Sequence, residues 1–182
     1  MTHDEFIEKI EAHVTWAQET QCYDISIFKI WIAFEKFLIR KFIDYATGEF
    51  DPTIEVTHKI RFLDSDHLKK FLSGDRQYVE YLKKIENLSD AIFYNNPFKI
   101  IIEDVHKQDY CQVYAIRNHI AHESEESENK FKKLCLNPNE TIISVNEYLQ
   151  RRTNRRNPTT NFSRLVKSLK DIAEFIEAPN FR

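Results

Sequence analysis

The chain has 182 residues, enough for one domain with a substantial core, and its 2 glycines and 5 prolines argue against a strand-and-turn protein. With 14 Phe and 8 Tyr in a chain that is 30% charged, the composition suits a well-packed helical bundle with a solvated surface. The net charge of −3 excludes a globally basic nucleic-acid binder, so any contact with RNA must come from a local patch.

Cys22, Cys111 and Cys135 are an odd count without CxxC spacing, which reads as free thiols in a reducing compartment. No apolar run reaches membrane-spanning length, and Met1-Thr2-His3-Asp4-Glu5 does not resemble the start of a signal peptide. The expectation is a cytoplasmic protein with no membrane partner.

In chain order, residues 3–20 predict an amphipathic helix with Phe6, Ile7, Ile10, Val14 and Ala17 on one side. Residues 25–46 are the most apolar segment, with Trp31, Phe34, Phe37, Leu38 and Phe42 among side chains that cover most of the circumference. Such a helix is central in a bundle or is covered on a second side by a partner. Gly48 ends it, because glycine tolerates a left-handed turn. Residues 49–64 read as an irregular connection, followed by two short helices over about 65–73 and 75–87. Leu88 to Pro97 reads as a connection, and Pro97 as the first turn of a long helix over 97–122. The acidic segment 123–129 is expected to be a mobile loop or frayed helix end. Ser144 and Glu147 have capping spacing for a short helix at 145–153. Asn157-Pro158 reads as cap and first position of the last helix, 158–178, whose stripe includes Phe162, Leu165, Leu169, Ile172 and Ile176. The expected fold class is therefore all-α: four to five main helices plus short ones, in a single domain spanning 1–182.

The chemistry concentrates at the end of the 97–122 helix. Arg117, Asn118, His119 and His122 fall within six residues, after an apolar series of Ile102, Val105, Val113, Ile116 and Ile120. Arginine is always cationic and its planar fork suits a phosphodiester. Histidine exchanges a proton near neutral pH. On a continuous helix the five-residue step from Arg117 to His122 spans about 7.5 Å and about 140°, so the two do not share a face. Asn118 and His122, four apart, do. The spacing of His119, His122 and Glu123 matches no zinc-protease motif, and no cysteine pair completes a site, so no metal is expected.

A second cluster, Arg151, Arg152, Arg155 and Arg156, lies in a basic loop over 151–157 before the last helix. It is the best candidate for contact with an RNA backbone, since local positive charge steers a polyanion. A solvated loop is the plain alternative. Tyr148 nearby suits the core better than base stacking.

The string Arg117-Asn118-His119-Ile120-Ala121-His122 resembles the signature of the HEPN superfamily of helical RNA-binding and RNA-cleaving domains: an Arg, four to six residues, then a His, on a late helix. The resemblance covers the long helices, about two thirds of the chain. It implies a homodimer that shares a cleft and a metal-independent endoribonuclease needing no cofactor. The implied products carry 2′,3′-cyclic phosphate and 5′-hydroxyl ends. In that reading Arg117, Asn118 and His122 are catalytic, and His119 occupies a variable, supporting position. Many members are toxins with antitoxin partners or parts of antiviral defence, so such a partner protein is also implied. Members paired with small nucleotidyltransferases carry a Tyr two residues after the motif His; Ser124 stands there in this chain, which speaks against that role.

Alternatives remain open on the residues alone. Arg117 has a structural reading as the partner of a core carboxylate such as Glu35, and His122 as a partner of its helix's last carbonyls. A non-catalytic module that binds RNA or a protein partner, and a purely structural dimerisation protein, are the other function classes.

Overall fold

The computed structural model describes residues 1–50, 54–74, 81–102, 106–153 and 158–179, and these form an all-α protein with no strand. The helices are α1 (His3–Thr20), α2 (Tyr23–Thr47), α3 (Ser65–Ser73), α4 (Tyr81–Ile92), α5 (Lys99–Ile102), α6 (Lys107–His122), α7 (Glu125–Cys135), α8 (Val145–Gln150) and α9 (Asn161–Glu177).

α2 is the central element. It packs on α1, α3, α4, α6, α8 and α9, which accounts for apolar side chains round most of its circumference. Trp31, Phe34, Phe37, Phe42 and Tyr45 are fully buried, and Phe6 of α1 stacks on Phe37 with ring centroids 5.4 Å apart. Phe42 meets Phe93 and Phe98 edge-on at 6.2 and 5.6 Å, tying α2 to the segment after α4. Gly48 ends α2 at φ +79°, as the sequence leads one to expect; a Cβ there would also strike the Arg61 guanidinium at 2.6 Å.

The bundle corrects several sequence-based boundaries. The second short helix runs on to Ile92 rather than stopping near 87, because Ile85, Ser89 and Ile92 form one buried face. Residues 75–80 lie outside the described set, and so does the expected start of that helix. The 97–122 helix is described in two pieces, α5 and α6, on either side of residues 103–105, with Val105 outside the described residues. α9 begins at Asn161, with Thr160 and not Asn157 as its cap; Asn157 itself lies outside the described residues. Thr160 wins because its Oγ1 accepts from the Ser163 N–H at 3.2 Å. Thr160→Ala is expected to cost about 1 kcal/mol of stability while Thr160→Ser retains most of it, as read from urea unfolding midpoints. An unchanged midpoint in the alanine variant would show that the cap contributes nothing.

The largest correction is the acidic segment. It is the start of a helix, not a loop. Glu123 adopts φ +45° and closes α6 through its N–H to the His119 carbonyl at 3.0 Å. Ser124 then caps α7 by exchanging bonds with Ser127, its Oγ accepting from the Ser127 N–H at 3.3 Å. Glu125, Glu126 and Glu128 fall in the first turn, where their charge is favourable to the helix dipole. The buried Phe131 holds α7 back against α6.

Candidate functional site

The two-residue turn between α6 and α7 decides where the motif side chains go. Because α7 folds back, His119 lies against it: its ring stacks on Phe131 at 5.3 Å and 8°, and its Nδ1 is 3.5 Å from the Ser127 Oγ. Ser127 is buried, so this contact fixes the imidazole from one side. One face of the His119 ring is thereby occupied.

Arg117 points the other way, towards α2. Its Nη1 donates to the Asn118 Oδ1 at 2.9 Å, and its Nη2 lies 3.8 Å from the Glu35 carboxylate. The carboxylate partner that sequence left open is therefore present, at the outer limit of an ion pair. The Arg117 side chain keeps 28% of its surface exposed, while its Nε is buried without a hydrogen-bond partner among the described residues. A guanidinium has five N–H donors, so these contacts orient it without using it up.

His122 is the last residue of α6 and is exposed. No hydrogen bond of its ring is found among the described residues, so the helix-end carbonyls do not hold it in this conformation. Since α6 is continuous from Lys107 to His122, the helical offset of about 140° between Arg117 and His122 stands. Within one chain the two functional groups do not converge. Asn118 sits between them, half-buried, bonded to Arg117 and on the same face as His122.

Tyr114, one turn before Arg117, is a surface residue that sequence reasoning missed. It is 44% exposed and leans on the buried Trp31 at 5.8 Å. The signal was available: positions 114, 117, 118 and 121 share one side of the helix. Tyr148, by contrast, is 4% exposed and belongs to the core.

The basic cluster divides. Arg151 is committed to two carboxylates, Glu140 and, at 3.0 Å, Glu147. Arg152 is exposed and carries no ion pair among the described residues. Arg155 and Arg156 lie outside the described residues. No group of three or more His, Cys, Asp or Glu placed to hold a metal occurs among the described residues, and no helix among them is long and apolar enough to cross a membrane. The three cysteines carry no disulfide, and burial pushes the Cys135 thiol up to about 12.

No known protein family, curated protein or solved structure matches the chain.

Proposed function

We propose that this chain is a metal-independent endoribonuclease whose site is completed by two copies of α6 in a homodimer. The observation that carries the reading is that Arg117, Asn118 and His122 each keep surface open to solvent on α6, Arg117 backed by Glu35 of α2 and His122 standing at the helix end. The resemblance to the HEPN superfamily supports it, and with it a role as a toxin or defence effector alongside an antitoxin or regulatory partner.

In the proposed reaction a base removes the proton of a ribose 2′-hydroxyl. The 2′-oxygen attacks the adjacent phosphorus, the bond to the 5′-oxygen breaks, and an acid protonates that leaving oxygen. His122 serves as base or acid, a role worth about 10²–10⁴-fold in rate. Arg117 stabilises the charge that grows on the phosphoryl oxygens. Asn118 holds the guanidinium in place from its own helix. A two-fold axis beside α6 would set one copy's Arg117 next to the other's His122, which overcomes their divergence within one helix.

α2 supplies a surface for that pairing. Phe28, Ile32 and Ile39 are half-buried and share a helix face with Glu35, the residue in contact with Arg117, and Ile25 above them is 46% exposed. Light scattering at micromolar concentration is expected to give twice the chain mass of 21.8 kDa, and Ile32→Glu to return it to one chain. A wild-type monomer would remove the composite site.

The second reading, a non-catalytic module that binds RNA or a protein partner, draws on the Glu35 contact, which gives Arg117 a structural occupation. A substrate containing a single 2′-deoxy nucleotide separates the two. Under the enzyme reading, cleavage at that position is lost while cleavage elsewhere persists. Binding without cleavage across structured and single-stranded RNAs would leave the module.

A further inference from the structure

A polar cavity of about 450 Å³ opens where α6, α8 and α9 meet the segment that follows α7. Its walls include Gln112, Glu140, Tyr148, Arg151, Arg152 and Arg164. Three arginines therefore line one space, with Glu140 the one carboxylate among its described walls. The other two acids in the network, Asp109 and Glu147, hold Arg164 and Arg151 but do not line the cavity.

The walls are braced by hydrogen bonds. Arg164 Nη2 donates to the Gln112 Oε1 at 2.7 Å, and Gln112 Nε2 in turn donates to the Leu134 carbonyl at 2.7 Å. Asn161 Nδ2 donates to the Tyr148 carbonyl at 2.9 Å, which locks α9 against α8. Arg164 Nη1 also donates to Asp109, and Nη2 lies 3.5 Å from both the Tyr148 hydroxyl and the Asn161 Oδ1, which leaves the Nε–H and one Nη1–H for a ligand. Arg152, exposed and without an ion pair among the described residues, supplies a second cation at the rim. The first turn of α9 also reaches the cavity through Asn161, adding the positive end of a 17-residue helix. On the other side Leu136 and Cys135 give an apolar wall, the thiol kept neutral by burial.

We propose that this cavity binds a phosphate monoester of mononucleotide size. The phosphate would lie against Arg152, Arg164 and the start of α9, and the heterocycle against Leu136. The volume falls in the range of small-molecule sites, and paired guanidiniums match phosphate oxygens. A divalent cation is the wrong charge beside Arg152, which no ion pair offsets among the described residues. The proposal does not depend on the cleavage reading: it uses the face of α6 that carries Gln112, roughly 140° of helical rotation from Arg117.

The test is calorimetric titration of the full chain with the four common 5′-mononucleotides, inorganic phosphate, adenosine and a short single-stranded RNA. The expected result is one site per chain for at least one mononucleotide, with no adenosine binding. Arg152→Ala and Arg164→Lys should each weaken that affinity at least about tenfold. Arg152 is exposed, so its variant should fold normally. Arg164→Lys keeps the charge and loses the fork, and circular dichroism checks its fold. Arg117→Ala and His122→Ala should bind the nucleotide as wild type does. Absence of binding by all four nucleotides at millimolar concentration would overturn the proposal. So would affinity that survives both arginine changes, or affinity lost in His122→Ala.

Discussion

Replacing His122 with alanine is expected to lower RNA cleavage by about 10²–10⁴-fold in buffer containing EDTA, with RNA binding largely retained. His122 is exposed at the end of α6 and makes no ring hydrogen bond among the described residues, so its removal leaves no buried group stranded. Arg117→Ala should reduce cleavage comparably, because the charge that develops on the phosphoryl oxygens then lacks its guanidinium. Glu35 remains 22% exposed and can be solvated once its partner is gone, so the fold should survive that change as well. Helix content and dimer mass, measured on both variants, separate loss of chemistry from loss of structure. Cleavage that persists in both would place the reaction elsewhere or trace it to a contaminant. The same assay without EDTA bears on metal independence: a large gain on adding a divalent ion would contradict it.

Phe34→Ala is expected to destabilise the fold by about 3–5 kcal/mol. Phe34 is fully buried on α2, and its ring meets Phe6 at 5.7 Å, Trp31 at 5.6 Å and Tyr110 at 6.4 Å. Those neighbours come from α1, α2 and α6, so the void opens where three helices meet and cannot close by the shift of one side chain. The midpoint of thermal unfolding should fall by roughly 6–20 °C for a chain of this size. Leu63→Ala is the control: Leu63 is 86% exposed, and its loss should stay within about 0.5 kcal/mol of wild type. A Phe34→Ala protein as stable as that control would show that the aromatic layer round α2 is not the main source of cohesion.

The two predictions rest on different parts of the chain, and these parts were not equally readable. The apolar stripes of α1, α2 and α9 are long and periodic, and they carry through into the bundle. α7 was not readable, because it has one fully buried large residue, Phe131, among charged neighbours. The partners that make Phe131 worth burying, His119 and Tyr148, come from α6 and α8. Its charges were legible, but not that Glu125, Glu126 and Glu128 would stand in a first turn. The extension of α4 to Ile92 has the same cause: Ser89 and Ile92 are buried by contacts made elsewhere in the chain.

Some joints have no local signature at all. The Asn146 Oδ1 accepts from the N–H of Tyr23, and its Nδ2 donates to the Gln21 carbonyl at 3.0 Å. One side chain of α8 thus pins the turn between α1 and α2 from more than 120 positions away. The cavity between Gln112 and Arg164 is of the same kind, since Gln112 of α6 and Glu140 come to its arginines from other stretches of the chain.

By itself the sequence determined the helical class, the apolar circumference of α2, the left-handed stop at Gly48 and the helical offset between Arg117 and His122. Those follow from periodicity, backbone preference and the geometry of a single helix, which act over a few residues. Only the tertiary structure decided that His119 is held against α7, that Arg117 leans on Glu35, and that Arg151 is tied to Glu140 and Glu147 while Arg152 is not. Contacts between distant segments form only once the helices have packed, and the free energy of that packing selects which charged side chains are held and which stay open.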